Sequence, residues 1–252
     1  MPRRREKRLA NALAEARETL RATREEKSRF IGMVGHDLRN PLNGIMLSSE
    51  FLEETTEDPT ITHITRMILA ECRSMDNLIA RFLDLAAIEA GTLKPEPGLV
   101  TLTELAQSVN ERLGPRAEAK RIELELRLDP ATAPVLGDAR FCQEIIDSLL
   151  SNAIKFSPAA TRVTLAVGPH PFGAALTIAD QGPGFTAEDL RHLYAPLCKL
   201  SARPTGNEKS FGLGLSIVKQ MVAAMGCAIS VVTAPGQGAT FQVLFPSAQE
   251  AG

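Results

Sequence analysis

The chain has 252 residues, of which 44% are hydrophobic and 23% are charged, so it is a folded protein with one large domain or two smaller ones. A net charge of -2 neither favours nor excludes a polyanionic partner, but the absence of tryptophan and only 4% aromatic residues argue against base stacking, so we expect no nucleic-acid partner. No run of about 18 apolar residues occurs, so we expect no transmembrane segment.

The cysteines and the N-terminal residues indicate the compartment. Four cysteines, Cys72, Cys142, Cys198 and Cys227, are far apart and form no CxxC pair, which argues against a zinc site or a disulfide framework. The basic residues near the start lead into alternating charges rather than the apolar stretch of a signal peptide. Both features favour a cytoplasmic protein.

A long amphipathic helix is predicted from the start of the chain to about Glu54. Its first part has a heptad-like apolar seam, formed by Leu9, Leu13, Ala16, Leu20 and Thr23. It continues without a breaker into a second apolar stripe, formed by Phe30, Val34, Leu38, Leu42, Ile45 and Leu52. At ~100° per residue, His36 lies off this stripe and is predicted to face solvent.

The residues around His36 are unusual for a helix. Gly32, Gly35 and Gly44 each cost ~1 kcal/mol relative to alanine, so we expect them to permit the close approach of another protein surface. Pro41 lacks an N–H and crowds the carbonyl of Asp37, which predicts a bend just past the histidine.

A second helix is predicted over residues 60–90, after a turn at 55–59, and Gly91 ends it. Its apolar stripe is formed by Ile64, Ile68, Cys72, Met75, Ile79, Phe82 and Ala86. Two helices joined by a short turn cannot cover both stripes. The sequence therefore predicts a homodimer in which two hairpins form a four-helix bundle.

Mixed elements follow a linker at residues 92–98, whose prolines and glycine mark a domain boundary. Helices are predicted at 102–113, 139–155 and 212–225. Strands are predicted at 122–128, 162–167, 174–179, 229–233 and 240–244. This order indicates a sheet with helices on one face. Residues 185–211 are irregular and predict a mobile lid.

Two glycine-containing motifs have the chemistry of a nucleotide site. Asp180 and the glycines at 182 and 184 follow a predicted strand, where a carboxylate can accept from the amine of adenine and glycines let the backbone approach a base. Alone, such a motif is more often an ordinary turn. Residues 210–218 open a helix with glycines, and free amides at a helix N-terminus favour phosphate.

Two further motifs are weaker. Asn152 and Lys155 lie one turn apart on a predicted helix, where an amide oxygen can ligate Mg²⁺ and an ammonium can contact phosphate. Alone, Asn152 is more often a surface amide. Residues 236–240 combine a turn with the hydroxyl of Thr240 at a strand start, which by itself is an ordinary hairpin.

These motifs together resemble a known family. Residues 35–42, Gly-His-Asp-Leu-Arg-Asn-Pro-Leu, with Phe30 and Ile31 before them, resemble the phosphoacceptor box of sensor histidine kinases. The later motifs resemble, in order, the N, G1, G2 and G3 boxes of the ATP-binding domain shared with gyrase, Hsp90 and MutL. The resemblance covers about residues 28–246.

The resemblance implies an α+β multi-domain fold. An N-terminal helical hairpin forms a dimeric four-helix bundle, and a two-layer α/β sandwich of the Bergerat type follows. In this family's organisation the segments are a coiled-coil-like signalling helix (1–27), a dimerisation and histidine phosphotransfer domain (28–91), the linker (92–98), a catalytic ATP-binding domain (99–247) and a tail (248–252).

The resemblance also implies roles by position. In the helical part, His36 is the phosphoacceptor, Asp37 its acid/base neighbour, and Asn40 orients water when a partner is dephosphorylated. In the ATP-binding part, the implied roles are a Mg²⁺ ligand (Asn152), a phosphate contact (Lys155), an adenine contact (Asp180), contacts along the backbone (Gly182, Gly184, Gly212, Leu213 and Gly214) and support of the adenine pocket (Thr240).

Several residues depart from the family pattern. Ser148 replaces the second asparagine of the N box, and a serine hydroxyl is a poorer metal ligand. The other departures are Ser210 for the first glycine of the G2 box, Tyr194 and Leu197 for the phenylalanines that usually anchor the lid, and Lys199 for an arginine. These departures are compatible with a slow or specialised kinase.

The leading hypothesis is a homodimeric protein-histidine kinase that uses ATP and Mg²⁺ to phosphorylate His36 and passes the phosphoryl group to an aspartate of a response-regulator receiver. One alternative, kept open by Ser148, is an inactive pseudokinase or phosphotransfer scaffold that docks a response regulator. Another is an ATPase of the same superfamily without phosphotransfer, which leaves the His36 box unused. The input comes from a separate sensor protein through the N-terminal helix, or the chain is part of a longer protein.

Overall fold

The computed structural model describes residues 2–206, 208 and 211–248, and before residue 30 it describes side chains only at 18, 19, 22, 23 and 26. The predicted seam at Leu9, Leu13, Ala16 and Leu20 therefore lies outside the described side chains. The chain forms two compact units, with the boundary between Leu93 and Lys94. The finer division into five segments stays a prediction. No helix in the described part of the chain is long and apolar enough to span a bilayer.

The described residues form six helices and seven strands. The helices are α1 (Pro2–Thr55), α2 (Pro59–Glu89), α3 (Leu102–Ala119), α4 (Ala139–Phe156), α5 (Ala187–His192) and α6 (Gly214–Ala224). The strands are β1 (Gly98–Val100), β2 (Glu123–Leu128), β3 (Val135–Gly137), β4 (Arg162–His170), β5 (Gly173–Ala179), β6 (Ala228–Thr233) and β7 (Ala239–Pro246).

The N-terminal unit is a helical hairpin, as predicted. Helix α1 continues past Pro41 to Thr55, and the bend predicted there stays a prediction. Asp58 caps α2, because its Oδ1 accepts from the amide of Thr60 at 2.7 Å and Pro59 occupies the first helical position, where no N–H is needed. Both halves of the hairpin were therefore predictable from periodicity and cap residues.

The two helices pair along a line that differs from the predicted stripe. The buried positions on α1 are Ile31, Gly35, Leu42 and Ser49. Most of the predicted stripe is instead exposed in the single chain, with Phe30 at 61%, Leu38 at 51% and Ile45 at 49%. Ion pairs between Arg39 and Asp76 (2.8 Å) and between Arg66 and Glu53 (2.6 Å) join the helices in a fixed register. One α2 helix covers a single line of α1, so the stripe remains available to a further partner.

The three glycines of α1 do not share one role. A Cβ built on Gly35 would lie 2.8 Å from the Leu83 side chain, so this glycine lets α2 approach. The expectation that Gly35 faces another protein is therefore wrong, because its space is filled by its own hairpin. Around Gly32 and Gly44 nothing described lies within 4 Å of such a Cβ, so these two positions are open.

The second unit is built on a five-stranded sheet of order β2-β4-β5-β7-β6. Strands β2 and β4 are parallel, and the other neighbours are antiparallel. Alternate residues of β4, β5 and β7 are buried, and α3, α4 and α6 pack on the sheet. The predicted two-layer arrangement is confirmed.

Three local features differ from the predictions. Helix α3 continues through Gly114 and Pro115 to Ala119, because Leu113 and Ala117 are buried on either side of the proline and hold the helix in place. The short strands β1 and β3, which pair antiparallel, were not predicted, since three residues carry little periodicity. Helix α5 lies inside the segment predicted to be irregular.

Candidate functional site

His36 projects from α1 with 75% of its side chain exposed, which confirms the prediction that it faces solvent. Its Nδ1 lies 3.4 Å from Oδ1 of Asp37 and 3.4 Å from Nδ2 of Asn40. The first contact requires a proton on Nδ1, which then donates to the carboxylate and leaves the lone pair on Nε2. The second requires the opposite tautomer. Asp37 and Asn40 therefore act on the same nitrogen, and no hydrogen bond among the described residues involves Nε2.

Asp180 follows β5 and uses one carboxylate oxygen for the protein backbone. Its Oδ1 accepts from the amides of Gly182 at 2.8 Å and Ala239 at 3.2 Å, so it joins the turn after β5 to the start of β7. Burial raises the pKa of Asp180 above its ordinary 3.8, although both amide donors act to lower it. Among the hydrogen bonds of the described residues none goes to Oδ2, which is the oxygen that can accept from a ligand.

The turns on either side of Asp180 interlock through glycines. Gly184 has φ of +67°, and a Cβ there would collide with the carbonyl oxygen of Ala234. Gly238 has φ of +74°, and a Cβ there would collide with the carbonyl oxygen of Asp180. Both positions need glycine for backbone conformation and for packing. This packing sets where the Asp180 carboxylate sits, which the sequence motif alone did not show.

The end of α4 lies against the same turn. A Cβ on Gly182 would be 3.1 Å from the carbonyl oxygen of Phe156, the last residue of α4. Asn152 is half-buried in this last part of the helix. Lys155 is 8% exposed, and its Nζ lies 5.6 Å from the centre of the Phe156 ring. The structure thus brings Asn152 and Lys155 into the same region as Asp180 and Gly182.

Ser148 lies one turn before Asn152 on α4 and is 2% exposed. Its Oγ has no hydrogen-bond partner among the described residues. A buried hydroxyl without a hydrogen-bond partner lowers stability by ~1–3 kcal/mol. A ligand or water that bonds to this hydroxyl would recover that free energy.

Helix α6 begins at Gly214 with Leu213 at its N-cap, and no side chain of the described residues caps it. Its first amides therefore lack a capping acceptor, which suits them to phosphate oxygens. Gly212 has φ of +69° and its carbonyl accepts from the amide of Leu197 at 3.0 Å, which ties this segment to the lid. Helix α6 also packs on α4. The predicted departure at Ser210 lies outside the described residues.

Thr240 is half-buried near the start of β7, opposite Ala179 of β5. Thr240 directly follows Ala239, whose amide donates to the carboxylate of Asp180. The predicted positions from the N, G1 and G3 boxes come together in this unit, whereas His36, Asp37 and Asn40 belong to the N-terminal unit.

The sequence analysis missed Asp189, which organises the first half of the lid. Its carboxylate accepts from the amide of Thr186 at 2.9 Å and from the amide of Ser201 at 2.7 Å, and from both hydroxyls. Burial alone would raise the pKa of Asp189, but these donors hold it well below 3.8. The Thr-x-x-Asp spacing of a capping box was the available signal.

Two family profiles match the chain. The profile of the His Kinase A (phospho-acceptor) domain matches residues 26–91. The profile of the histidine kinase-, DNA gyrase B-, and HSP90-like ATPases matches residues 137–249. The first contains His36, Asp37 and Asn40, and the second contains all the predicted nucleotide-site residues.

Known proteins with a similar sequence or fold include a sensor protein and a sensor histidine kinase. The virulence sensor protein BvgS of Bordetella bronchiseptica is 31% identical over 243 residues, which are 93% of this chain and 20% of BvgS. Full-length ShkA, solved in complex with AMPPNP, has a TM-score of 0.76 and 26% identity over 87% of this chain and 46% of ShkA. The mycobacterial sensor histidine kinase MprB has a TM-score of 0.50 and 31% identity over 60% of this chain and 97% of the MprB chain.

The chain thus spans a fifth of the length of BvgS and under half of ShkA. The matches cover 93% and 87% of this chain, so they include residues of both of its units. With both profiles matched in the family order, this chain belongs to the sensor histidine kinases, with a phosphoacceptor domain followed by a histidine kinase-type ATPase domain.

Proposed function

We propose that this chain is the core of an ATP-dependent protein-histidine kinase in which His36 accepts the γ-phosphoryl group of ATP. The observation that carries this proposal is the geometry at His36. Its ring is exposed, and the flanking polar side chains both act on Nδ1. Nε2 is then the nitrogen left to meet an incoming phosphoryl group.

Asp37 prepares the ring for attack. With the proton on Nδ1 shared with Asp37, the lone pair on Nε2 attacks the γ-phosphorus, and the bond from that phosphorus to the β,γ-bridging oxygen breaks to release ADP. The ring gains positive charge as the N–P bond forms. The Asp37 carboxylate stabilises that charge, or takes the Nδ1 proton, without moving from its position.

The sheet domain positions the nucleotide. Oδ2 of Asp180 accepts from the adenine amine, while Oδ1 stays bound to the backbone. Thr240 supports the adenine pocket, and the backbone at Gly182, Gly184 and Gly212 lies along the nucleotide. The uncapped amides after Leu213, beginning at Gly214, bind phosphate oxygens together with Lys155.

Mg²⁺ fits the residues at the end of α4. The Asn152 amide oxygen would hold it, and the Oγ of Ser148, which has no partner among the described residues, offers a second oxygen one turn away. Mg²⁺ keeps several waters and needs only one or two protein ligands, so this sparse donor set is sufficient. When bound, Mg²⁺ supplies neutralisation of the phosphate charge.

The partners follow from the same proposal. The exposed stripe of α1 pairs with that of a second copy, which makes the hairpin half of a four-helix bundle. An aspartate of a response-regulator receiver accepts the phosphoryl group from His36, and Asn40 orients water when the receiver is dephosphorylated. A separate sensor protein acting through the N-terminal helix is one source of the input.

We place the chain in the cytoplasm. ATP is the phosphoryl donor, and the four cysteines are unpaired, with two of them buried. Thiols of this kind persist in a reducing compartment.

A catalytically inactive scaffold that docks a response regulator is the alternative that Ser148 keeps open, although the related proteins give no support for it. The two candidates predict different results for Ser148→Asn incubated with radiolabelled ATP and Mg²⁺. In a kinase, Ser148→Asn labels His36 faster than the wild type and binds nucleotide with similar affinity, because the change acts at the metal position. Ser108→Asn, on the exposed face of α3, is the matched control and keeps the wild-type rate.

In a scaffold, wild type and Ser148→Asn both bind nucleotide and both leave His36 unlabelled. Receiver docking then persists in His36→Gln. That combination would replace the kinase proposal with the scaffold.

A further inference from the structure

Lys120, at the C-cap of α3, sits where two helices and the lid meet. Its Nζ donates to the carbonyl oxygens of Ile154 at 2.8 Å and Lys155 at 2.9 Å, in the last turn of α4. It also donates to Oγ1 of Thr205 in the lid at 2.8 Å. An ammonium has three protons, and these bonds use all of them.

The lid side of this contact is itself well connected. The amide of Thr205 donates to the carbonyl oxygen of Lys155 at 3.2 Å. The hydroxyl of Thr205 donates to the carbonyl oxygen of Ser157 at 2.6 Å. Glu208 lies 3.3 Å from Nζ of Lys120 and 3.8 Å from Arg116. The Lys120 and Glu208 side chains are 17% and 19% exposed, so solvent screens this ion pair less than a surface pair.

We propose that Lys120 is a positioning residue that latches the second half of the lid to the C-terminal end of α4. The proposal rests on the proposed function, in which Asn152 and Lys155 near the end of α4 hold the metal and contact the phosphates of ATP, and on the prediction that residues 185–211 form a lid. The ammonium group of Lys120 then fixes the position of the lid relative to Asn152 and Lys155.

The location of the latch explains why a lysine serves here. The last carbonyls of a helix have no partner within the helix and carry its partial negative charge. A cation held there stabilises the end of α4 and at the same time offers one remaining donor to Thr205. Loss of the cation removes its bond to Thr205 and its two bonds to the end of α4, and leaves only the direct bonds of Thr205 to Lys155 and Ser157 to hold the lid there.

A neighbouring ion pair provides the control for a purely structural role. Arg112, also on α3, binds Asp147 of α4 at 2.7 Å and makes no lid contact among the described residues. Arg112→Met therefore removes a link between the same two helices and leaves the lid untouched.

The test is hydrogen–deuterium exchange of the full chain without nucleotide, followed at the amides of Thr205 and Gly206. Lys120→Met and Thr205→Val should each speed exchange by about tenfold, as expected for losing a hydrogen bond to a charged group. In the double variant the two effects should combine to less than their product, because both single variants remove the bond between Lys120 and Thr205. Thr205→Ser keeps the hydroxyl and should stay near wild type.

A second readout links the latch to ATP. Lys120→Met should raise the KM for ATP about fivefold or more while changing kcat less, whereas Arg112→Met should change neither. Unchanged lid exchange in Lys120→Met, equal acceleration in Arg112→Met, or an unchanged KM would each overturn the latch. Because exchange is followed without nucleotide, its failure is distinct from a failure to phosphorylate His36.

Discussion

In the proposed nucleotide site, Asp180 divides its two carboxylate oxygens between the protein and the ligand. Oδ1 fixes the turn after β5 against β7. Oδ2 is the oxygen that we propose accepts from the adenine amine. Replacing the carboxylate by an amide keeps the size of the side chain but turns one acceptor into a donor. The two backbone amides and the adenine amine are all donors, so an amide side chain must leave at least one of them unpaired.

We therefore expect Asp180→Asn to weaken ATP binding by ~1–3 kcal/mol in calorimetry. Asp129→Asn is the matched control, since Asp129 also follows a strand and accepts from an amide two residues on, but is exposed. Because burial raises the pKa of Asp180, wild-type affinity should fall as pH is lowered toward that pKa, while Asp180→Asn shows no such fall. Unchanged affinity would mean that adenine binds elsewhere.

The sequence predicts the positions and contacts of some site residues better than those of others. The carboxylate and glycines of residues 180–184 form a local motif, so their place at a strand end could be predicted. The latch at Lys120 joins residues 85 positions apart, and no local pattern records such a contact. Ser148 was noted as a departure, yet only the structure shows that its hydroxyl is buried without a described partner.

At the scale of elements, α1 shows why periodicity predicted a helix but not its partner. The line that meets α2 includes Gly35 and Ser49, which add no hydrophobic signal. The strongest apolar stripe is the one left exposed by the hairpin. Periodicity shows which face of a helix will be buried, but it does not show which helix or chain will cover that face.

The glycines of α1 give a matched pair of substitutions. Gly44→Ala should raise the free energy of unfolding by up to ~1 kcal/mol, because its Cβ meets open space and alanine favours the helix. Gly35→Ala should gain less or lose stability, since its Cβ would lie 2.8 Å from Leu83. Thermal unfolding followed by circular dichroism measures both. An equal gain at the two positions would contradict the packing described for Gly35.

At the scale of the whole molecule, the two units have different needs for a partner. The sheet domain buries its own core under three helices, whereas the hairpin leaves large apolar side chains exposed on both helices. Exposed apolar surface of this kind marks an interface. The two-part organisation and the sheet could be predicted from motifs and periodicity, but the association of two chains is a property that no single chain displays.

The proposed dimer is tested by Leu38→Glu with Phe82→Glu, at side chains that are 51% and 37% exposed. Charges on the stripe should convert the dimer to a monomer in light scattering and reduce helicity, because the apolar surfaces lose their partner. Leu99→Glu, at a leucine 74% exposed in the other unit, should leave the dimer intact. A dimer that survives the double change would show that the stripe is not the interface.

The central claim is that ATP phosphorylates His36 of this chain, and the nature of the label tests it most directly. Wild-type protein incubated with γ-labelled ATP and Mg²⁺ should acquire a label that is stable in base and lost in acid, as a phosphorus–nitrogen bond requires. The label should be absent in His36→Gln and retained in His63→Gln, which removes another exposed histidine of the same hairpin. A wild-type chain that binds ATP but stays unlabelled over hours, or a label that persists in His36→Gln, would contradict the account.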